Sequence, residues 1–354
     1  MKLNLIANIF GNTGYNIHSY NLAKALIAEG IDLGIESSRP QNWQQSELAE
    51  QLQKNYHYEP TIMIATPEWW DLSAGDRLPF FGPFGVFEGT KIPYGWKLRA
   101  QKEHINVIFV PSEHTKQSFI NAGITKRIEI IPHGVNLKIF NTEVPKADFP
   151  QLKEGYFKFL FVGGWKDGVN DRKGLDILLR AFCAEFKPEE KVQLICKLNM
   201  AYQSPENVLY NIDLLQLPKN RPEIIMLLND GPEKELAKIY RSCDCFVMPS
   251  KAEAFCMPCL EALACGLSVI ATNYGGQTDY LPKEGLINIS GMTRATGEFQ
   301  IYAETEWAIP DQAHLQQLMR NAFEGKIKPN PEIAKNYTWN NSAKKLVKIL
   351  EEFV

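Results

Sequence analysis

Short apolar segments alternate with helical patterns from the start of the chain. The first apolar segment, 2–10, ends at a glycine turn that spans 11–14. After this turn, apolar residues recur at the three- and four-residue spacing of an amphipathic helix, at Ile17, Tyr20, Leu22, Ala23, Leu26 and Ile27. Gly30 ends the helical pattern, and a second apolar segment follows at 31–35. The order strand, glycine turn, helix, strand predicts a parallel βαβ unit.

The alternation continues through two arrays of predicted strands and helices. The first array has strands at 61–65, 85–87, 107–110 and 128–131, and helices at 96–104 and 112–122. The second has strands at 157–162, 192–197, 224–228, 245–248 and 268–272, and helices at 174–186, 232–243, 257–265, 311–324 and 341–354. A charged stretch with prolines, 141–152, lies between the arrays and looks like a linker.

These arrays predict an α/β protein with two doubly wound, Rossmann-like domains that face each other across a cleft. The expected domains are 1–145 and 150–337, and we expect a terminal helix at about 338–354 to pack back on the first domain. In such sheets ligands bind beyond the carboxyl ends of the strands. The loops that follow the strands are therefore expected to hold the chemistry.

Composition narrows the possible partners. The 354 residues are 45% hydrophobic and 22% charged, with a formal net charge of −3, so no overall field favours nucleic acid. Lysine and arginine are dispersed, which also argues against a nucleic-acid partner. Asn4 and Asn8 interrupt the first apolar segment, and no run of 18 apolar residues occurs. We expect a cytoplasmic protein, with peripheral contact at the inner face of a membrane left open.

The seven cysteines lie between Cys183 and Cys265. A zinc tetrad is conceivable, because zinc takes four such ligands in a tetrahedron, at Cys243, Cys245, Cys256 and Cys259. The first two, however, fall on one face of a predicted strand within an apolar stretch. Buried thiols are the favoured interpretation. We expect neither an essential metal nor another cofactor.

The most specific motif lies between a predicted strand at 245–248 and a predicted helix that begins near Met257. Free N–H groups and the positive dipole end at the start of this helix suit a diphosphate. Phe255, Cys256 and Met257 are therefore candidate residues for binding a diphosphate-containing ligand. Glu253, in the preceding loop, is placed to bind a sugar ring. Glu261, one turn into the helix, is placed to bind the hydroxyls of a ribose.

Glu253 and Glu261 have seven residues between them, and Ala262, Ala264 and Gly266 follow in an Ala-x-Ala-x-Gly pattern. This stretch resembles the signature of the retaining glycosyltransferases of family four, the glycosyl transferases group 1, which have the GT-B fold. The resemblance implies that a hexose passes with retention from a nucleoside-diphosphate sugar to a glycan, lipid-linked or small-molecule hydroxyl. It also implies that Glu253 orients the donor sugar. Two alternatives stay open: a nucleotide-sugar epimerase of the same fold, and a non-catalytic sugar-nucleotide-binding subunit.

A second glycine loop follows the predicted strand at 157–162. In the resembled family this loop supplies an arginine and a lysine to the donor diphosphate. Lys173, directly before Gly174, matches the lysine and is a candidate catalytic residue. Gly164 stands where the family has the arginine, and either Arg172 or Lys166 is left to supply that charge.

The N-terminal half contributes weaker candidates. Gly14 lies in the first glycine loop, which in the family approaches the donor phosphates. Glu88 stands where many relatives have a histidine that contacts the donor sugar; it either replaces that histidine or is a structural carboxylate. A dense aromatic set either packs under a loop or forms an acceptor platform. Its members are Trp69, Trp70, Phe80, Phe81, Phe84, Phe87, Tyr94 and Trp96.

Overall fold

The computed structural model describes residues 1–54, 56, 58–71, 78–296 and 300–353. The chain divides into two compact units. Unit 1 comprises Met1–Asn136 together with Tyr337–Val354, and unit 2 comprises Leu137–Asn336. The segment 141–152, interpreted above as a linker, lies inside unit 2. There Phe140 packs edge-on against Tyr240, and the Ala147 N–H donates to the Ser242 hydroxyl at 2.7 Å.

Unit 1 contains a parallel six-stranded sheet in the order β2-β1-β3-β4-β5-β6. The strands are β1 (Lys2–Ala7), β2 (Asp32–Glu36), β3 (Thr61–Ile64), β4 (Phe81–Phe84), β5 (Val107–Val110) and β6 (Arg127–Ile130). The helices are α1 (Gly14–Ala28), α2 (Tyr94–Ala100) and α3 (Glu113–Asn121).

The strand predicted at 85–87 is wrong in position, because the fourth strand ends at Phe84. Beyond it, the carbonyl groups turn toward α3 instead of a neighbouring strand. The Thr115 hydroxyl donates to the Phe87 carbonyl at 2.9 Å, and the Ser118 hydroxyl donates to the Gly89 carbonyl. Side chains of α3 therefore hold the loop that follows β4.

The last helix, α10 (Trp339–Leu350), packs against α1 within unit 1. A parallel bridge joins Val135 to Thr338 just before this helix. Gly134 permits the close approach, because a Cβ at this position would collide with the backbone nitrogen of Trp339.

Unit 2 contains the second parallel six-stranded sheet, in the order β12-β11-β10-β7-β8-β9. The strands are β7 (Phe157–Gly163), β8 (Val192–Leu198), β9 (Glu223–Leu227), β10 (Cys245–Met248), β11 (Ser268–Thr272) and β12 (Leu286–Ile287). The helices are α4 (Leu175–Glu185), α5 (Pro205–Leu214), α6 (Glu233–Arg241), α7 (Met257–Ala264), α8 (Gln312–Phe323) and α9 (Glu332–Asn336). The strand order reverses between β7 and β10, which is the point where an open α/β sheet forms a ligand crevice.

Several described elements of unit 2 had no counterpart in the prediction from sequence: the short β12 and α9, and two larger ones. One is α5, which Ser204 caps and Pro205 begins. The other is an antiparallel hairpin of β13 (Ile289–Arg294) and β14 (Glu306–Pro310). Buried Trp307 of β14 packs with Ala252, and the Ala308 N–H donates to the Lys251 carbonyl at 2.9 Å. The hairpin thus supports the loop that follows β10.

The prediction of an α/β protein with two parallel, Rossmann-like sheets is confirmed. In the described part of the chain, every helix is too short or too polar to cross a bilayer.

Candidate active site

The loop after β7 is held in shape by one buried carboxylate. One oxygen of Asp171 accepts hydrogen bonds from the backbone N–H groups of Lys166 at 2.9 Å and Asp167 at 3.2 Å. The other accepts from the backbone N–H of Lys173 at 2.7 Å. Gly174 follows with φ +70°, and a Cβ on it would collide with the Pro249 carbonyl oxygen. Both features fix the backbone on either side of Lys173.

The loop after β10 meets the β7 loop at this point. The Lys251 N–H donates to the Arg172 carbonyl at 2.7 Å, and the Arg172 guanidinium donates to the Ala252 carbonyl at 2.6 Å. The Glu253 carboxylate lies 2.6 Å from Lys173 Nζ and 3.3 Å from the Arg172 guanidinium. The structure therefore brings three predicted site residues together at the point where the strand order reverses.

The carboxylate of this cluster is removed from water, since only 5% of Glu253 is exposed. Burial alone would raise the pKa of Glu253, but the nearby charges of Lys173 and Arg172 and their hydrogen bonds outweigh it. The net effect lowers the pKa of this carboxyl below its usual value. Glu253 is therefore an ionised, oriented carboxylate at neutral pH.

The start of α7 is built on unusual backbone geometry. Cys256, its N-cap residue, has φ +68° and makes no side-chain capping hydrogen bond. The Tyr280 hydroxyl lies 2.7 Å from the Cys256 carbonyl oxygen and 3.1 Å from that of Phe255. Met257 and Pro258 begin the helix. The first turn of α7 therefore lacks a side-chain cap at its N-cap position and directly follows the Glu253 loop.

Two glycines after β11 also shape the Glu253 loop, and sequence analysis did not select them. The Gly276 N–H donates to the Glu253 carbonyl at 2.8 Å. A Cβ on Gly276 would collide with the Ala254 carbonyl oxygen, and Gly275 has φ +107°. A Gly-Gly pair, separated by two residues from the end of a strand, was the available signal.

Glu261 is packed inside unit 2. Only 8% of this residue is exposed, and its carboxylate accepts a hydrogen bond from the Tyr240 hydroxyl at 2.9 Å. Burial raises the pKa of Glu261 to about 7, although the Tyr240 hydrogen bond opposes that shift. Its contact with a ribose stays a prediction. In such a contact, the ribose hydroxyls would share the Glu261 carboxylate with the Tyr240 hydroxyl.

Gly164 lies in open space, because no heavy atom comes within 4 Å of a Cβ built on it. The arginine that the resembled family has at this position would therefore find room there. In this chain the Arg172 guanidinium is the cation that accompanies Lys173 at Glu253. The Lys166 backbone N–H donates to the Asp171 carboxylate at 2.9 Å.

The candidates of unit 1 lie at the start of α1 and in the loop after β4. Gly14 is the first residue of α1, directly after the N-cap Thr13, whose hydroxyl accepts from the Asn16 N–H. Glu88 lies in the loop after β4, where its carbonyl oxygen is 2.7 Å from His114 Nε2 of α3. Burial lowers the pKa of His114. Sequence reasoning missed His114 because the contact joins residues 26 positions apart.

Most of the aromatic set is core. Exposure is 2% or less at Trp70, Phe80, Phe81, Phe84, Phe87 and Trp96. Trp69 and Tyr94 are 70% and 60% exposed. Packing, not an acceptor platform, is therefore the role of six of the eight residues.

The four cysteines considered for zinc do not form a tetrad in the structure. Cys256 and Cys259 lie with their sulfur atoms 3.2 Å apart. Over the described ranges, no three His, Cys, Asp or Glu side chains are grouped as metal ligands would be.

Comparison with known proteins shows which family the segment with both site loops resembles. Residues 146–291 match the profile of the family "Glycosyl transferases group 1". The resemblance inferred from Glu253, Glu261 and Lys173 is confirmed at the level of the family, and the matched residues of the glycosyl transferases group 1 segment include both site loops.

Curated relatives match over different lengths. The D-inositol 3-phosphate glycosyltransferase of Segniliparus rotundus is 28% identical over 169 residues, which are 47% of this chain and 36% of that protein. The chain therefore spans little more than a third of that relative. An uncharacterized glycosyltransferase of Methanocaldococcus jannaschii is 26% identical over 348 residues, covering 97% of this chain and 82% of that protein.

Solved structures match nearly the whole chain. Sucrose-phosphate synthase from Thermosynechococcus elongatus has a TM-score of 0.71 at 17% identity, covering 99% of this chain and 98% of that one. Anabaena HepE in complex with UDP-glucose has a TM-score of 0.66 at 14% identity, covering 99% and 100%. These similarities show the fold, which is GT-B.

Proposed function

We propose that this protein is a glycosyltransferase that moves a hexose from a nucleoside-diphosphate sugar to a hydroxyl acceptor, with retention at the anomeric carbon. The observation that carries the proposal is the cluster of Glu253, Lys173 and Arg172 at the point where the strand order of unit 2 reverses. The start of α7 directly follows this cluster along the chain.

The chemistry of such a transfer suits these groups. When the bond to the donor sugar breaks, the leaving nucleoside diphosphate gains negative charge. Lys173, Arg172 and the start of α7 supply positive charge and N–H groups for that charge, and one such donor in an active site is typically worth about 3 to 4 kcal/mol. Asp171 keeps Lys173 preorganised, so little reorganisation is needed during the reaction.

Glu253 is proposed to orient the donor sugar. Its carboxylate stays ionised beside two cations, and it can accept hydrogen bonds from sugar hydroxyls. An ionised carboxylate also interacts favourably with the positive charge that develops at the anomeric carbon. Glu88 and Gly14 of unit 1 are proposed to contribute to the donor and acceptor side through their loops.

The proposal also names the nucleotide base of the donor and the class of acceptor. The structural neighbour HepE holds UDP-glucose, which makes a uridine diphosphate sugar the first donor to test. A glycan, a lipid-linked sugar and a small hydroxyl compound are the proposed acceptor classes. Because nucleotide sugars are intracellular metabolites, we propose that the protein acts in the cytoplasm, with peripheral membrane contact where the acceptor is lipid-linked.

A donor screen tests the proposal. The melting temperature is measured with uridine, guanosine and adenosine diphosphate sugars, since a ligand that binds the native state raises it. The donor that binds is then incubated with acceptors from each class, and the products are separated by mass. Sugar transfer with retained configuration supports the proposal. Interconversion of the donor without acceptor identifies an epimerase, binding without turnover identifies a binding subunit, and binding of none of the donors contradicts the proposal.

A further inference from the structure

Cys256 and Cys259 occupy the first turn of α7 with their side chains in contact. Their sulfur atoms lie 3.2 Å apart, and the only residues between them are Met257 and Pro258. A disulfide needs these atoms at about 2.05 Å and its two Cα atoms within about 7 Å. Residues at the N-cap and third position of one helical turn are within that reach, so the sulfur atoms need to close by only about 1 Å.

We propose that Cys256 and Cys259 form a reversible intramolecular disulfide on oxidation by a small peroxide, and that this bridge weakens binding of the nucleoside diphosphate. The second half of this inference rests on the function proposed above. The first half stands on the geometry of the two thiols alone.

Accessibility sets the order of the chemical steps. Cys256 is 4% exposed and Cys259 is fully buried, so a small oxidant meets Cys256 first. Burial raises the pKa of Cys259 well above its usual value, which keeps it as a neutral thiol until its neighbour is oxidised. Cys259 is therefore the resolving residue.

The reaction balances with hydrogen peroxide as the oxidant. The Cys256 thiol reacts with peroxide to give a sulfenic acid and one water. The Cys259 sulfur then attacks the Cys256 sulfur, and the sulfenic hydroxyl leaves as a second water with the Cys259 proton. The two sulfur atoms lose two electrons in all, and the peroxide is reduced to water. A dithiol reductant reverses the bridge by thiol–disulfide exchange.

The bridge acts on the segment proposed to bind the diphosphate. Closing the sulfur atoms draws the Cys256 backbone toward the turn of α7, while Tyr280 holds the carbonyl groups of Phe255 and Cys256 on the other side. A shift of about 1 Å in a binding segment can cost as much as about a hundredfold in function. We expect the dissociation constant of the nucleoside diphosphate to rise about tenfold in the oxidised protein.

Peptide mapping tests the bridge without any activity measurement. The full-length protein is treated with hydrogen peroxide, alkylated, and digested with trypsin without reduction. Cleavage after Lys251 and Lys283 yields one peptide, 252–283, which contains Cys256, Cys259 and Cys265. We expect this peptide to lose the mass of two hydrogen atoms, to retain one alkylation site at Cys265, and to regain all three after dithiothreitol.

Three variants locate the bridge. Cys265→Ser should still form it, whereas Cys256→Ser and Cys259→Ser should not. Cys259→Ala serves as a second variant if the hydroxyl of serine disturbs this buried position. Full alkylation of Cys256 and Cys259 after peroxide, a bridge to Cys265, or conversion of Cys256 to sulfinic acid without a bridge would each overturn the inference.

Calorimetric titration with UDP, GDP and ADP tests the effect on binding. The nucleotide that binds the reduced protein should bind the peroxide-treated protein about tenfold more weakly, and dithiothreitol should restore its affinity. Peroxide should leave the affinity of Cys256→Ser as it was before treatment, because this variant lacks the residue that is oxidised first. If the bridged and reduced proteins bind the nucleotide with equal affinity, the proposed effect of the bridge on binding is wrong. If no nucleotide binds the reduced protein, the proposed function fails, while peptide mapping still decides whether the bridge forms.

Discussion

At the scale of single residues, the candidate site consists of one carboxylate and two cations that hold each other in place. Lys173 and Arg172 both contact Glu253, and the backbone of Lys173 is tied to Asp171. Such a cluster is preorganised before any donor arrives. Replacing one member at a time therefore tests what each contributes.

Replacing Lys173 should separate catalysis from folding. Lys173→Ala removes one of the two cations at Glu253 and is expected to lower kcat/KM by about a hundredfold to a thousandfold. The melting temperature should change little, because Arg172 still contacts Glu253. Lys238→Ala is the matched control, since the ammonium group of that lysine pairs with the exposed carboxylate of Glu235 on α6. Unchanged kcat/KM in Lys173→Ala would remove this lysine from the mechanism.

The two glutamates are expected to be unequal. Glu253→Gln should mainly lower kcat, because charge develops at the anomeric carbon only in the transition state. Glu261→Gln should mainly raise the KM for the donor, because contacts with a ribose are the same in ground and transition states. Steady-state kinetics over a range of donor concentrations distinguish these effects. The opposite pattern would contradict the division of roles and leave the fold assignment unaffected.

At the scale of elements, tight contacts between loops and helices set the shape of each unit. Gly276 packs directly against the Glu253 loop, and Trp307 of β14 packs against Ala252 in the same loop. In unit 1, α1 and α10 meet at a cluster of three rings, His18, His133 and Trp339. The ring centroids of His18 and His133 are 4.3 Å apart, and those of His18 and Trp339 are 5.6 Å apart.

Gly276 and Gly164 form a matched pair for testing the glycine contacts. Gly276→Ala would drive a methyl group into the Ala254 carbonyl oxygen, so we expect it to lower the free energy of unfolding by about 2 kcal/mol or more. Gly164→Ala meets open space and should change it by less than about 0.5 kcal/mol. Chemical denaturation of both variants measures the difference. Equal stability would show that the loop yields easily at Gly276.

The buried histidines of unit 1 should make the protein sensitive to acid. Burial lowers the pKa of His133 to about 3, so its folded form stays neutral where the unfolded chain, with a pKa near 6.5, takes up a proton. The stability is complete above pH 6.5 and is lost as the pH falls from there toward 3. Between pH 7.5 and pH 5, His133 alone should account for a loss of about 2 kcal/mol.

Comparison of His133→Gln with the native protein isolates this effect. The fall in unfolding free energy between the two pH values should be about 2 kcal/mol smaller in the variant. His104→Gln, in the same unit, serves as the control for a general effect of losing a histidine. If His133→Gln shows the same pH dependence as the native protein, the imidazole is not held neutral by the fold.

At the scale of the whole molecule, the chain crosses between its units twice. It leaves unit 1 after Asn136, builds unit 2, and returns at Tyr337 to complete unit 1 with α10. The last helix therefore completes the packing around α1. This arrangement makes the stability of unit 1 depend on residues more than 300 positions away from β1.

A substitution in α10 should affect unit 1 selectively. Trp339 is 5% exposed, and Trp339→Ala is expected to cost about 3 to 5 kcal/mol. Hydrogen exchange should show faster exchange in β1 and α1 and little change in the sheet of unit 2. Trp307→Ala, at a tryptophan 2% exposed in unit 2, should give the reverse pattern. Faster exchange throughout both units in Trp339→Ala would show that they unfold as one cooperative body.

The sequence by itself determined the features that repeat locally. The alternation of strands and helices, the two parallel sheets, and the loops with Lys173 and Glu253 follow from periodicity and short motifs, because backbone geometry sets those spacings. The sequence also predicted where a helix begins when a capping residue or a proline marks its start, as at Met257 and Pro258.

Only the tertiary structure decided which distant groups meet. In it, Glu261 accepts a hydrogen bond from Tyr240, and His114 contacts the carbonyl group of Glu88. The β13–β14 hairpin packs on the Glu253 loop through Trp307. The tertiary structure also assigned 141–152 to unit 2 and showed most of the N-terminal aromatic residues to be core. These contacts join residues far apart in the chain. Burial and packing select such contacts over the whole fold, and no local spacing of residues encodes them.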